Sequence, residues 1–581
     1  MGKPVDPTTI ATIWHYIQRV CREMRYTVER TATNVLVVTL HDMAYGVWDA
    51  DGRAIAIPEG FPPRLISSTF PVRRVKQKFA GQIKPGDVYL TNYPVDGAVH
   101  LPDWVFIRPI FYKDELVFFT CMGTHVADSG GAQAGSHFLA FDHIAEGLNI
   151  PLIKIADTNG YREDVVELVL ANNRLPDMMR REMASLMGST GVAEQRMLEL
   201  LDKYGKDTVM ASVEEMIART EKAVRGVIAT WPEGTWSTEV ATDDDGKTLG
   251  VPIHVRCDLT IKDGELYYVF SRSDDQVSGM MNCYYQATLS DVMCTTFLFL
   301  GSELAAYHNE GSMRPIHVDT RKGTIVDCRP GALVAGAPAV TGSLVIESVL
   351  NVLSQALPER AIAPYSRLVS PLLVGRDKET QQIYVYTTFC AAAGAGAVAG
   401  YDGYQCVCDM GTLGVVGKTD AEEEMARFPW EVNQYEFRTD AHGAGEWRGA
   451  PGIVWEAVDK DGGECNFIGG PLSGFSTQGQ GQNGGQPTPI NRAYLLRDDK
   501  RIDILQPHAP LTVKSGDHLI ALSGGGAGVG NPEHRDPEAV RADVRNELVS
   551  VDMARQVYKV VIDPETFAID HSATAELRKA G

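Results

Sequence analysis

Two apolar runs, Trp104 to Phe111 and Leu116 to Cys121, flank the short polar stretch Lys113-Asp114-Glu115. Runs of β-branched and aromatic residues joined this closely predict a pair of strands in a hairpin. A hairpin brings its two open ends together, and both ends here carry ligand chemistry. His100-Leu101-Pro102-Asp103 leads into the first strand, and Thr124-His125-Val126-Ala127-Asp128-Ser129-Gly130-Gly131 leads out of the second. His100, Asp103 and His125 are therefore expected to converge. Imidazole and carboxylate suit a divalent ion of the zinc or manganese type. Such an ion with an open position supplies hydroxide from water near neutral pH, or polarises a carbonyl. Hydrolytic or carboxylating chemistry then needs no serine or cysteine nucleophile. Asp42, at the end of the preceding run Val35 to Leu40, is a further ligand or the base that orients the water. Asp128, three residues beyond His125, is a candidate hydrogen-bond partner for a ligand imidazole. His137 and His143 read as loop residues, one of them lining the pocket. By spacing alone, satisfied core histidines remain the competing reading.

The rest of the chain predicts an α+β protein of several domains. Asp6-Pro7 opens a helix in which Ile10, Ile13, Trp14, Ile17, Val20, Cys21, Met24 and Val28 recur at helical spacing, ending near Arg30. Val35 to Leu40 reads as a strand. Residues 161–230 read as helical up to Trp231-Pro232-Glu233-Gly234, and strands follow at Ile253 to Leu259 and Leu266 to Phe270. Helices are expected at about 285–308 and 341–356. The last third is rich in glycine and strand-like, with few helical periods. The expected division is an α+β metal-site region 1–160, a helical segment 161–230, a middle α+β domain 231–400 and a β-rich domain 401–581.

Composition narrows the function. Among 581 residues the net charge is -21, which repels phosphate backbones and anionic lipid. Neither nucleic acid nor membrane is an expected partner, and no run reads as long and apolar enough to span a bilayer. The ten cysteines form no C-x-x-C pair and read as reduced, buried residues of a cytoplasmic protein. Asp243-Asp244-Asp245-Gly246-Lys247-Thr248 ends like a phosphate-binding loop, but three aspartates would repel phosphate, so it reads as an acidic turn. Gly394 to Ala399 fits a loose dinucleotide fingerprint but opens no helix. Ser523 to Gly530 reads as a tight turn where backbones approach, ahead of an anion nest. Gly479 to Gly485 reads as a surface loop. No nucleotide or other cofactor-binding motif stands out.

Motifs along nearly the whole chain resemble the hydantoinase B/oxoprolinase family. They include Lys84-Pro85-Gly86-Asp87-Val88, His100-Leu101-Pro102-Asp103, His125 with Asp128 and Gly130-Gly131, and Glu146-Gly147-Leu148. Asn173-Arg174-Leu175-Pro176, Asn309-Glu310-Gly311, Asp440 with Gly443-Ala444-Gly445, Gly524-Gly525-Gly526 and Arg535-Asp536-Pro537 continue the series. The resemblance implies the smaller subunit of an ATP-dependent enzyme. A hydantoinase A-type partner would bind ATP and magnesium and phosphorylate the substrate, and two copies of each subunit, α2β2, is the default symmetric assembly. The family's metal ligands fall on His100, Asp103 and His125, and its adjoining aspartate on Asp42, with zinc ahead of manganese or iron. Asp42, His125 and Asp128 are then the implied catalytic residues. The implied reaction is hydrolysis of a cyclic amide, such as caprolactam opened to an ω-amino acid. Alternatives are an acetone- or acetophenone-type carboxylase subunit and an N-methylhydantoin or 5-oxoproline hydrolase subunit. Tyr93, Val99 and Val269 stand where the family often has polar residues, which favours an apolar ring.

Overall fold

A computed structural model describes residues 5–579 apart from 136–139, 306, 390, 393, 461–464, 468–472 and 505–510. Two compact units divide the chain: Met1–Ser237 with Cys257–Val345, and Thr238–Arg256 with Ile346–Gly581.

The first unit begins with α1 (Pro7–Thr31). The Asp6 carboxylate accepts the amide hydrogens of Thr8 and Thr9 at its start, a cap worth about 1 kcal/mol. The expected strand at Val35 to Leu40 is instead one helical turn, α2 (Val35–Val38). Asn34 accepts the Leu36 amide hydrogen, and buried Glu182 accepts those of Thr33 and Asn34. A side-chain cap and a tertiary anchor here outweigh the β-propensity of Val-Leu-Val-Val.

Next come β1 (Met43–Asp49), β2 (Ala54–Ala56), α3 (Pro62–Leu65), α4 (Thr69–Lys78), β3 (Val88–Thr91), β4 (Asp103–Tyr112) and β5 (Glu115–His125). The short helix α5 (His143–Glu146) precedes β6 (Ile153–Asp157) and β7 (Gly160–Tyr161). The strands form one antiparallel sheet in the order β2-β1-β5-β4-β3-β6-β7. The β4–β5 hairpin turns at Lys113 and Asp114, both with positive φ (49° and 65°), the geometry that matches strand twist.

Helices α6 (Glu163–Ala171), α7 (Pro176–Tyr204) and α8 (Lys206–Ile228) occupy the stretch predicted to be helical. They are not a separate body. Met183, Leu186 and Met197 of α7 share one core with Ile13, Ile17 and Met24 of α1 and with Trp104, Phe106, Phe118 and Met122 of the sheet. Alternation along β4 and β5 therefore turns Asp103 and His125 to the face away from α1 and α7.

Beyond α8, β8 (Gly234–Thr242), β9 (Ile253–Lys262) and β10 (Glu265–Val269) are followed by α9 (Tyr285–Leu300), α10 (Glu310–Met313) and β11 (Ile316–Asp319). The strands form a sheet in the order β11-β10-β9-β8, with β10 and β11 parallel. α9 stops at Gly301 (φ 100°), short of the expected 308. Helix α11 (Gly342–Ala356) follows a π-helical turn at Ala337–Thr341. Contrary to the sequence reading, Ala337–Ala356 is long and apolar enough to cross a bilayer, but it is almost entirely buried inside the protein, as a core helix is.

The second unit contains β12 (Leu372–Arg376), β13 (Ile383–Thr387), α12 (Ala421–Arg427), β14 (Trp430–Phe437), β15 (Ile453–Asp459) and β16 (Cys465–Phe467). It continues with β17 (Arg492–Arg497), β18 (Lys500–Asp503), β19 (Leu511–Val513) and β20 (His518–Leu522). They make two sheets, β13-β12-β16-β19 and β14-β15-β20-β17-β18. The glycine-rich segments pack backbone on backbone. A Cβ at Gly396 would lie 2.0 Å from the Ala363 carbonyl oxygen, and one at Gly449 2.0 Å from that of Gly526. The close-approach reading of Ser523 to Gly530 therefore holds. Gly479 to Gly485 belongs partly to the same packing, since Gln482 is buried and donates to Asn351. The acidic turn is a clamp: Asp243 accepts the amide hydrogens of Gly474, Phe475, Ser476 and Thr477. Three helices unforeseen in the sequence close the chain, α13 (Pro537–Arg545), α14 (Val551–Gln556) and α15 (His571–Lys579).

Candidate metal centre

Three strand ends meet at one end of the first sheet. Asp103 and His125 face each other as direct cross-strand partners of β4 and β5, and Met43 pairs with Thr124, so Asp42 arrives beside them. His41 takes a positive φ of 59°, which turns the chain from α2 into β1 and delivers Asp42. His100 sits in the turn before β4, closed by the Asp103 amide donating to the His100 carbonyl at 3.1 Å.

The ligand atoms of His100, Asp103 and His125 all lie within 4.8 Å of one another. His100 Nε2 is 3.2 Å from Asp103 Oδ1, and His125 Nδ1 is 3.8 Å from the same oxygen. Asp42 stands at the margin, its Oδ2 3.9 Å from His125 Nδ1. His100 and Asp103 are buried, whereas His125 keeps 19% of its side chain exposed, which leaves the cluster an open side.

Neighbouring groups set the protonation states. The His100 Nδ1–H donates to the Ala335 carbonyl at 3.2 Å, which turns Nε2 toward Asp103. The Ala335 peptide is itself fixed: buried Glu146 accepts the amide hydrogens of Val334 and Ala335 at 2.7 and 2.6 Å. Burial, and then the adjoining His100, hold the His125 imidazole down to a pKa of about 3, so it is neutral at pH 7. Asp103 is pulled in two directions. Burial favours its neutral form, but Arg64 and then His100 outweigh that and keep it a carboxylate. Arg64 is buried beside both acids, its Nη1 3.0 Å from Asp103 Oδ1 and its Nη2 paired with Asp42.

Several of these buried atoms make no hydrogen bond of good geometry, among them His100 Nε2 and both Asp103 carboxylate oxygens. Buried imidazole and carboxylate atoms are rarely left so. A cation among His100, Asp103 and His125 would satisfy them, and two neutral imidazoles with one carboxylate are a fitting donor set for zinc, manganese or iron.

Other expected positions fall elsewhere. Asp128 does not reach an imidazole. Its carboxylate accepts the Arg174 amide hydrogen at 2.7 Å and that of Gly130 at 3.2 Å, with the Arg174 guanidinium at 3.3 Å. It ties the loop after β5 to the start of α7. His143 opens α5 outside the cluster, and His137 lies outside the described residues. Sequence reasoning missed Arg64 and missed the part played by Glu146. Val99, next to His100, packs in an apolar cluster with Cys283, Tyr284, Ala287 and Val334.

Residues 6–532 match the hydantoinase B/oxoprolinase family. The chain is 29% identical to the beta subunit of caprolactamase from Pseudomonas jessenii, with 99% of each chain covered. It is 27% identical to the B subunit of a putative D-/L-hydantoinase from Pseudomonas sp. strain NS671, over 99% of this chain and 98% of that one. The crystal structure of the ATP-dependent caprolactamase from Pseudomonas jessenii superposes with a TM-score of 0.90, at 29% identity, over 99% of this chain and 100% of that chain.

Proposed function

This chain belongs to the hydantoinase B/oxoprolinase family, and from that premise we propose that it is the metal-bearing subunit of an ATP-dependent enzyme that hydrolyses a cyclic amide. The observation that carries the reading is the convergence of His100, Asp103 and His125, with Asp42 beside them, at the open end of the β4–β5 hairpin. Similarity to the beta chain of a caprolactamase and to the B chain of a hydantoinase supports the substrate class and a partner chain. An α2β2 assembly with a hydantoinase A-type, ATP- and magnesium-binding partner is the arrangement we favour. No disulfide joins the nine cysteines among the described residues, all but Cys406 buried, which is consistent with a reducing cytoplasm.

An unstrained lactam resists water because its nitrogen lone pair is delocalised into the carbonyl. Phosphorylation of the oxygen by the partner would remove that resonance. The remaining work is addition of water to the ring carbon, cleavage of the ring C–N bond with a proton passing to the nitrogen to leave an acyl phosphate, and hydrolysis of that acyl phosphate by a second water to carboxylate and phosphate. A divalent ion held by His100, Asp103 and His125 would supply Lewis acidity and water activation near neutral pH. The chain's own groups would do the rest. Ala335 and Glu146 would hold His100 in the tautomer that presents Nε2, while Asp42, outside the closest set, would orient water and accept its proton. The test is product analysis with the ATP-using partner, on lactams, hydantoins, 5-oxoproline and ketones, with and without bicarbonate. Bicarbonate-independent release of an amino acid from a lactam is expected, whereas product only from a ketone with bicarbonate would make the chain part of a carboxylase.

A further inference from the structure

Arg64 is 2% exposed, with its guanidinium carbon 4.8 Å from the centre of the Phe61 ring. Ion pairs of Nη2 with Asp42 and of Nη1 with Asp103 offset its charge, but Nε has no acceptor. A guanidinium carries five N–H donors in a planar fork. Two carboxylate contacts leave the remaining donors, Nε–H among them, without an acceptor in a buried place, which is costly, and proteins seldom do so without a purpose. Charge points the same way. With both imidazoles in the neutral form that a metal requires, Asp42, Asp103 and Arg64 sum to a single negative charge. A dication reverses this to a single positive charge, so the loaded site attracts an anion.

We propose that Arg64 is the oxyanion-binding arm of this site, taking the tetrahedral phosphate group of the activated substrate or the phosphate released from it. The Arg fork matches phosphate oxygens two at a time, which a lysine ammonium does not. The proposal rests on the metal reading above and adds the residue that recognises the phosphate.

The full-length chain loaded with zinc is titrated calorimetrically with inorganic phosphate and with methyl phosphate, and zinc content is measured in the same samples. Wild type should bind phosphate, and Arg64→Lys, which keeps the charge but loses the fork, should bind it about tenfold or more weakly while retaining zinc. Arg64→Gln should abolish binding; if that variant does not fold, Arg64→Lys decides. Preference for methyl phosphate over inorganic phosphate would place the group on the activated substrate, and the reverse preference on the released product. Zinc-loaded wild type that ignores phosphate, or Arg64→Lys that binds it as wild type does, would overturn the proposal. So would loss of phosphate binding only in step with loss of zinc, which would assign Arg64 to holding the carboxylates. Failure of wild type to bind zinc would be a different result, removing the metal reading itself and this proposal with it.

Discussion

Single side chains carry the chemistry, and their burial makes it sensitive to acid. His125 has its pKa held down to about 3, His442 to about 3 and His308 to about 4, each chiefly by burial. Their unfolded forms bind protons near 6.5, so between about 6.5 and 3 the unfolded state holds more protons and stability falls as pH falls. At pH 5 each imidazole should cost about 2 kcal/mol relative to pH 7. Urea unfolding of the metal-free protein at the two pH values checks this; an unchanged midpoint would contradict it. Glu146 gives a second prediction. Glu146→Ala should free the Ala335 peptide and weaken zinc binding about 10–100-fold, while Glu146→Gln, which keeps a carbonyl acceptor, should restore most of it. Competition with a zinc chelator reads both. His100, Asp103 and His125 were legible in the sequence because ligand residue types stand at two predicted strand ends. Arg64 was not, since nothing in Phe61-Pro62-Pro63-Arg64 marks a buried arginine. Nor was the part of Glu146, which acts through a backbone peptide nearly two hundred residues away.

Elements place these side chains, and the hairpin does most of it. Its register sets Asp103 opposite His125, and a slip of one residue would send one of them to the α1–α7 face. The hairpin could be read because both strands are strongly patterned and the connection is short. α2 was misread for the opposite reason: the capping of Asn34 and the reach of Glu182 from α7 are tertiary facts hidden behind a β-branched run. Asp128 was read as a partner of a ligand imidazole on spacing, but it serves the element scale, joining the loop after β5 to α7. Asp128→Asn should therefore lower stability by about 1–3 kcal/mol and leave zinc binding in place. Loss of zinc with unchanged stability would restore the catalytic reading of Asp128.

At the scale of the whole molecule, the sequence showed the alternation of helical and strand-rich stretches but not how they group. Residues 161–230 look self-sufficient in sequence, yet their apolar stripes fill the same core as the N-terminal sheet. The backbone packing of the glycine-rich segments was anticipated at Ser523 to Gly530 alone, because close approach involves segments distant in sequence. Ring opening, in the function proposed above, depends on an ion held by His100, Asp103 and His125. The direct measurement is lactam opening by this chain with its ATP-using partner, after stripping the ion with a zinc-selective chelator and after returning it. Wild type should lose amino-acid formation on stripping and regain it with zinc, while His125→Ala should remain inactive although folded. Ring opening that persists in the stripped complex, or in His125→Ala, would contradict that dependence.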